Sequence, residues 1–170
     1  TSWLASSKVT FVPVLAAAAH TVLMAIRVVH IGTGNVGRLA LAELIENPAF
    51  ELVGLCVSTP AKVGKDAGEL AGLDVTTGVN ATDDLDALLA TEPQCAVYCA
   101  MGDTRMPQAM DDVRRILAAG INVVGSAPGV LQFPWQVIPD QFIKPIDDAA
   151  RLGDSSVYIN GVDPGFVTDL

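Results

Sequence analysis

Positive charge is scarce in this 170-residue chain: 10 Lys and Arg stand against 19 Asp and Glu, for a net charge of −9. The few cations are scattered. Such a balance argues against nonspecific nucleic-acid binding, yet is compatible with a local anion site at a helix N-terminus. Cysteine is scarce too. Cys56, Cys95 and Cys99 are odd in number and form no close pair, which speaks against a disulfide framework and leaves no metal-ligand spacing. Cys95 and Cys99 fall in one predicted strand, about 13 Å apart, and all three cysteines read as small buried hydrophobes. Of the two histidines, His30 lies inside a predicted strand and reads as a core residue, while His20 lies in the N-terminal stretch. No Ser/His/Asp or Cys/His arrangement is visible. A clean membrane-length apolar run is also missing. The stretch before Ala25 is broken by Pro13, His20 and Thr21, whereas a spanning helix needs about 20 apolar residues. Residues 1–24 read as an extension, poorly ordered or upstream of a natural start at Met24. The rival reading is a signal peptide, with Lys8 ahead of an apolar stretch to Ala19. Hydrophobic residues make up 51% and charged ones 17%, which suits one globular domain with a real core.

What the chain does have is IRVVHIGTGNVGRLA, from Ile26 to Ala40. An apolar, β-branched run meets Gly32-Thr33-Gly34-Asn35-Val36-Gly37, and a helical pattern starts at once. Strand, glycine-rich turn and helix together make G-x-G-x-x-G a dinucleotide-binding hypothesis. Gly32 permits the tight turn, Gly34 lets a pyrophosphate approach the backbone, and Gly37 lets the helix pack close to the strand. The amides at the helix start, with the helix dipole, then face the phosphates.

The pattern behind this turn alternates β and α. Strands are expected at Ile26–Gly32, Phe50–Ser58, Cys95–Ala100, Ile121–Gly125 and Ser156–Gly161, with a short one at Asp74–Gly78. Helices are expected from Asn35 to Glu46, from the Thr82-Asp83-Asp84 cap through Leu89, from Pro107 to Ala119, and from Phe142 to Leu152. On the first helix Val36, Leu39, Ala40, Leu44 and Ile45 have helical spacing. The stretch with Lys62, Gly64, Lys65, Gly68 and Gly72 reads as a loop, and Ser126–Pro139 as irregular. This alternation predicts an α/β fold: a Rossmann-type, doubly wound parallel sheet with right-handed crossovers, occupying residues 25–161. Residues 162–170 read as the start of a connection to a second, substrate-binding domain that is missing from the chain.

Ligands bind such sheets outside the carboxyl ends of the strands. The segment after the second strand selects the coenzyme. NAD readers carry an acid about 20 residues past the glycines. Here Val57-Ser58-Thr59 has none, Ser58 and Thr59 can donate to a 2′-phosphate, and Lys62 or Lys65 can neutralise it. NADP is therefore the expected coenzyme, with NAD possible. Asp103 and Arg105 stand near the expected nicotinamide ribose, and their plain reading is a helix-start acid beside a surface arginine.

These segments, together with STPAKVGKDAGELAG, GINVVGSAPGVLQFPW and NGVDPGF, resemble the dihydrodipicolinate reductase-like family, nearest the branch of 2,4-diaminopentanoate dehydrogenases and native amine dehydrogenases. The resemblance covers Ala25 to Leu170. It implies NAD(P)H-dependent hydride transfer to a C=N or related bond of a small molecule. It also implies a cytoplasmic enzyme, homo-oligomeric at full length, without nucleic-acid or membrane partners. By the resemblance, Gly32, Thr33, Gly34, Asn35, Val36 and Gly37 hold the pyrophosphate, and Ser58 and Thr59 face the adenosine ribose. Ala100, Met101, Gly102, Ser126 and Ala127 line the nicotinamide side, and Asp163-Pro164-Gly165-Phe166 is the hinge. The amine-dehydrogenase branch has a Cys-Glu-Glu-Leu-like segment before its Pro-Trp, with an acid–base Glu. This chain has Pro128-Gly129-Val130-Leu131 before Pro134-Trp135, so the catalytic residue stays unassigned, and no metal is expected. Two other readings remain open: a noncatalytic nucleotide-binding or interaction module, and a nucleotide-sugar or SAM-type protein on the same fold. For the chain as given, coenzyme binding with little or no turnover is expected.

Overall fold

The computed structural model describes residues 24–100, 104–135 and 138–161. The expectations for Thr1–Leu23, for Met101, Gly102 and Asp103, and for 162–170 lie outside them. In chain order the elements are β1 (Ile26–Ile31), α1 (Asn35–Glu46), β2 (Phe50–Cys56), α2 (Ala67–Ala71), β3 (Ala81–Thr82), α3 (Leu85–Leu89), β4 (Cys95–Tyr98), α4 (Met106–Ala118), β5 (Asn122–Gly125), α5 (Asp140–Gly153) and β6 (Val157–Ile159). The strands form one sheet in the order β3-β2-β1-β4-β5-β6, every pairing parallel. This is the doubly wound Rossmann-type arrangement. From β1 the chain moves out to β2 and β3, and from β4 to β5 and β6, so the connections diverge at the β1–β4 boundary, where such sheets hold ligands.

Parallel strands are covered on both faces, which is why β1 reads as a continuous apolar run rather than an alternation. Its last four residues, Val28 to Ile31, are all buried. One hydrophobic cluster packs the sheet against α3, α4 and α5 through Leu85, Leu88, Val113, Ile116, Leu117 and Ile146. A second packs β2 and β3 against α1 and α2 through Leu41, Leu55, Ala67, Ala71 and Ala81.

Three expectations are corrected here. The third strand is Ala81–Thr82, not Asp74–Gly78. The Asp66 carboxylate wraps the earlier segment around itself: it accepts from the amides of Gly68, Thr77 and Gly78 and from the Thr77 hydroxyl, so those groups are spent on a clasp, not a ladder. These donors, the Thr77 amide foremost, hold Asp66 below the usual carboxylate range. The supposed loop after β2 contains a 3₁₀ turn, Pro60–Lys62, and α2, which Asp66 caps. The buried stripe of α1 is Gly37, Leu41 and Leu44, while Val36 and Leu39 are 57% and 65% exposed. The helix is rotated so that its smallest residue faces the sheet. The cap of α3 lies inside the expected segment: the Asp84 carboxylate accepts from the Ala87 amide.

Candidate functional site: a cleft over the carboxyl edge of the sheet

β1 delivers the chain into a turn that has almost no freedom. Gly32 has φ +96°, and a β-carbon on it would stand 2.6 Å from the Ala100 nitrogen. Its amide donates to the Cys56 carbonyl at 2.9 Å, tying the turn to the end of β2. Its carbonyl lies 2.7 Å from His30 Nε2. A carbonyl only accepts, so Nε2 carries the proton and His30 is the neutral Nε2–H tautomer. Burial agrees, pushing the His30 pKa down to about 4. The core reading of His30 holds, since it is wholly buried, and the bond to Gly32 adds to it. On the other side of the turn, a β-carbon on Gly37 would meet the Gly32 oxygen at 2.0 Å. Gly37 is therefore a packing residue buried beneath the turn, not part of the cleft wall.

Gly34 differs from both. A β-carbon there would meet nothing within 4 Å. It is the N-cap of the 12-residue α1, with no side-chain cap bond. The first amides of a helix have no intrahelical partner, and the helix dipole favours negative charge at this end. Bare backbone, open space and outward-facing donors are what a diphosphate requires, so the residues fit a dinucleotide.

The turn forms one wall of a cleft of about 1160 Å³. Thr33, Gly34, Asn35 and Val36 line it, as do Ser58, Thr59 and Lys62 from the exit of β2, and Ala100, Ser126 and Ala127 from the exits of β4 and β5. The structure thus brings together every described residue expected at the site except Gly37. Lys62 does something its position in the sequence does not reveal. Its ammonium donates to both the carbonyl and the hydroxyl of Thr33, each at 2.9 Å, bridging the 3₁₀ turn to the glycine turn. Lys65, the other candidate cation, is turned away to Glu69 and is not part of the cleft.

Several cleft residues were not foreseen. Asp83, Asp84 and Asp86, just before and within the first turn of α3, also line the cleft, with Asp112 and Arg115 of α4. Arg105 lines the cleft too and is half-buried, so it is more than a surface residue. Placing the third strand at 81–82 would have put the aspartates there, because whatever follows a strand's carboxyl end faces this cleft. Asp84 caps α3 and Asp86 pairs with Arg115, so two of these carboxylates are already engaged. Asp112 is held from the core: the buried Tyr98 hydroxyl donates to its Oδ2 at 2.9 Å. Burial first, then the Asp112 charge, raises the Tyr98 pKa, so the phenol stays a donor.

The cysteines are half-buried and unpaired, less enclosed than expected. Cys56 and Cys99 face the cleft. Burial, followed by the Asp112 and Asp83 charges, pushes the Cys56 thiol up to about 11, and burial also raises Cys99. At neutral pH both remain thiols, which are poor nucleophiles. After β5 the chain makes a 3₁₀ turn, Gly129–Leu131, with Gly129 and Gln132 on the cleft wall. No group of three or more His, Cys, Asp or Glu able to hold a metal occurs among the described residues. No described helix is long and apolar enough to cross a membrane.

Comparison with known proteins agrees with the geometry. The family model described as dihydrodipicolinate reductase, N-terminus, matches residues 26–129. An amine dehydrogenase of Streptomyces virginiae is 44% identical over 139 residues, 82% of this chain and 38% of that protein. A 4-hydroxy-tetrahydrodipicolinate reductase of Trichormus variabilis is 33% identical over 116 residues, 66% of this chain and 42% of its own length. Among solved structures, the amine dehydrogenase from Mycobacterium smegmatis superposes with a TM-score of 0.71 at 26% identity, covering 80% of this chain and 39% of that one. The chain thus spans about two fifths of the length of these relatives.

Proposed function

The chain belongs to the dihydrodipicolinate reductase N-terminal family, and from that premise we propose that it is the coenzyme-binding part of an NADP-preferring oxidoreductase, acting on a C=N or related bond of a small molecule. The bare backbone at Gly34, open to the cleft at the head of α1, is the observation that carries the reading. The amides of Thr33 to Val36 hold the pyrophosphate. Gly32 and Gly37 keep those amides in place from below. Ser58, Thr59 and Lys62 receive the adenosine ribose and its 2′-phosphate, and the segment Val57-Ser58-Thr59 itself carries no carboxylate to prefer a free 2′-hydroxyl. Ala100, Ser126 and Ala127 line the nicotinamide end. Bound there, the coenzyme supplies the hydride. Substrates of the kind named by the relatives, an amine or 4-hydroxy-tetrahydrodipicolinate, suit that chemistry. We take the setting as cytoplasmic and the full-length form as homo-oligomeric.

Calorimetric titration with NADPH and with NADH tests this. NADPH is expected to bind roughly tenfold more tightly, the scale of one charge-assisted contact. Tighter NADH binding would reject the preference, and no heat from either would reject the coenzyme reading. A noncatalytic nucleotide-binding module is the second reading. It is favoured by the absence of a carboxylate from Pro128 to Leu131 and by the protonated thiols of the cleft. Turnover with an amine or imine substrate separates the two.

A further inference from the structure

Inside β1, a central strand of the sheet, an imidazole stands between the buried aliphatic residues Val29 and Ile31. His30 is fully buried, and its Nδ1 is the one buried side-chain polar atom among the described residues that has no hydrogen-bond partner. In the Nε2–H tautomer Nδ1 is a lone pair left dry, and a buried acceptor without a donor destabilises the fold. The other nitrogen does make a bond, to the Gly32 oxygen at 2.7 Å. That oxygen already sits 2.0 Å from where a Gly37 β-carbon would lie, so the carbonyl is pinned between the strand side chain and the first turn of α1. The Gly32 amide, at the other end of the residue, is held by Cys56. The peptide that follows Gly32 supplies the amide of Thr33, and orienting its C=O orients that N–H, because the peptide unit is planar.

We propose that His30 is a positioning residue for dinucleotide binding: by donating Nε2–H to the Gly32 carbonyl it presets the amides from Thr33 to Val36 in the orientation a diphosphate needs. The inference rests on the coenzyme reading above and deepens it. A rigid turn loses less freedom on binding, so its effect is on affinity. His30 does not itself line the cleft and takes no part in any chemistry there. Its cost to the fold and its benefit to the site therefore have opposite signs, and a merely structural residue could not show that.

Two variants of the full chain test it, His30→Leu, of similar bulk without a donor, and His30→Gln, whose amide can still donate. Three readouts are needed: NADPH affinity by calorimetry, hydrogen exchange in the ligand-free protein of the Gly32 and Arg38 amides, which bracket the turn and are bonded to the Cys56 and Gly34 oxygens, and thermal stability. His30→Leu is expected to bind NADPH roughly tenfold more weakly, the scale of one lost neutral hydrogen bond, and to exchange these two amides faster by a similar factor, with thermal stability equal to wild type or higher. His30→Gln is expected to return affinity and exchange to within about threefold of wild type. His30→Leu with wild-type affinity overturns the inference, whether or not exchange changes. So does a loss of affinity that merely follows a loss of folded protein, or one that His30→Gln fails to relieve. Absence of heat from the wild-type chain with either dinucleotide would bring down the coenzyme reading. Wild-type exchange in His30→Leu would then still refute the role of His30 in the turn.

Discussion

The two ends of the cleft are built on opposite plans. At the glycine turn nearly every atom is constrained from beneath: Gly32 by Cys56 and His30, Gly37 by the Gly32 oxygen, Thr33 by Lys62. At the far end, the segment after β5 makes one 3₁₀ turn and then exposes Phe133 and Trp135, each 65% accessible, stacked edge to face with ring centroids 5.9 Å apart. The first end is rigid because a diphosphate makes the same demand whatever the substrate. The second presents side chains outward. Backbone recognition calls for a crowded underside and a bare top, and the glycines supply both.

The sharpest break in this comparison is Gly37→Ala. Its methyl would sit 2.0 Å from the Gly32 oxygen, backbone that cannot yield without moving the turn. A loss of at least about 3 kcal/mol in urea-unfolding stability is expected, together with loss of dinucleotide binding. Gly34→Ala should separate the two effects. Nothing lies within 4 Å of the new methyl, so urea stability should hold while NADPH affinity falls by at least about tenfold, an effect on the site alone. Equal losses in both would erase the distinction between underside and top.

A smaller effect is expected at the β2 exit. Lys62→Ala should weaken NADPH roughly tenfold and NADH by less than about twofold in parallel titrations. Equal weakening would mean that Lys62 only braces Thr33.

His30 also gives a pH signature. Its folded-state pKa, about 4, lies below the ordinary 6.5 because burial disfavours the imidazolium. Between those values the unfolded chain holds the extra proton, so this contribution to stability is complete above about pH 6.5 and is lost as pH falls towards 4, by roughly 3 kcal/mol in all. Urea titrations across that range should show a shallower decline in His30→Leu than in wild type. Parallel curves would reject the buried neutral imidazole. The smallest change belongs at the exposed end: Trp135→Ala should move stability by less than about 0.5 kcal/mol and leave NADPH affinity unaltered.

Much of this could be read in advance, and the failures have specific causes. The glycine turn, the alternation of strands and helices and the Asp84 cap are local features, written in residues a few positions apart. Local pattern misplaces the third strand because the partner of residues 74–78 is Asp66, whose carboxylate gathers the Thr77 and Gly78 amides from 11 and 12 residues away. The close packing of Gly37 is legible in the glycine pattern, whereas helical spacing alone does not say that Val36 and Leu39 lie outside the buried stripe of α1. The cleft aspartates went unnoticed because their role depends on where β3 ends.

From the chain alone came the bend after β1 and the succession of units around it, because a positive φ, a missing β-carbon and a hydrophobic period act over a few residues. Only the folded molecule decided which distant groups meet that bend. Lys62 reaches it and Lys65 does not, and an imidazole from the preceding strand holds it from below. Such meetings depend on how separate crossovers stack across the sheet, and neighbours along the chain carry no record of that.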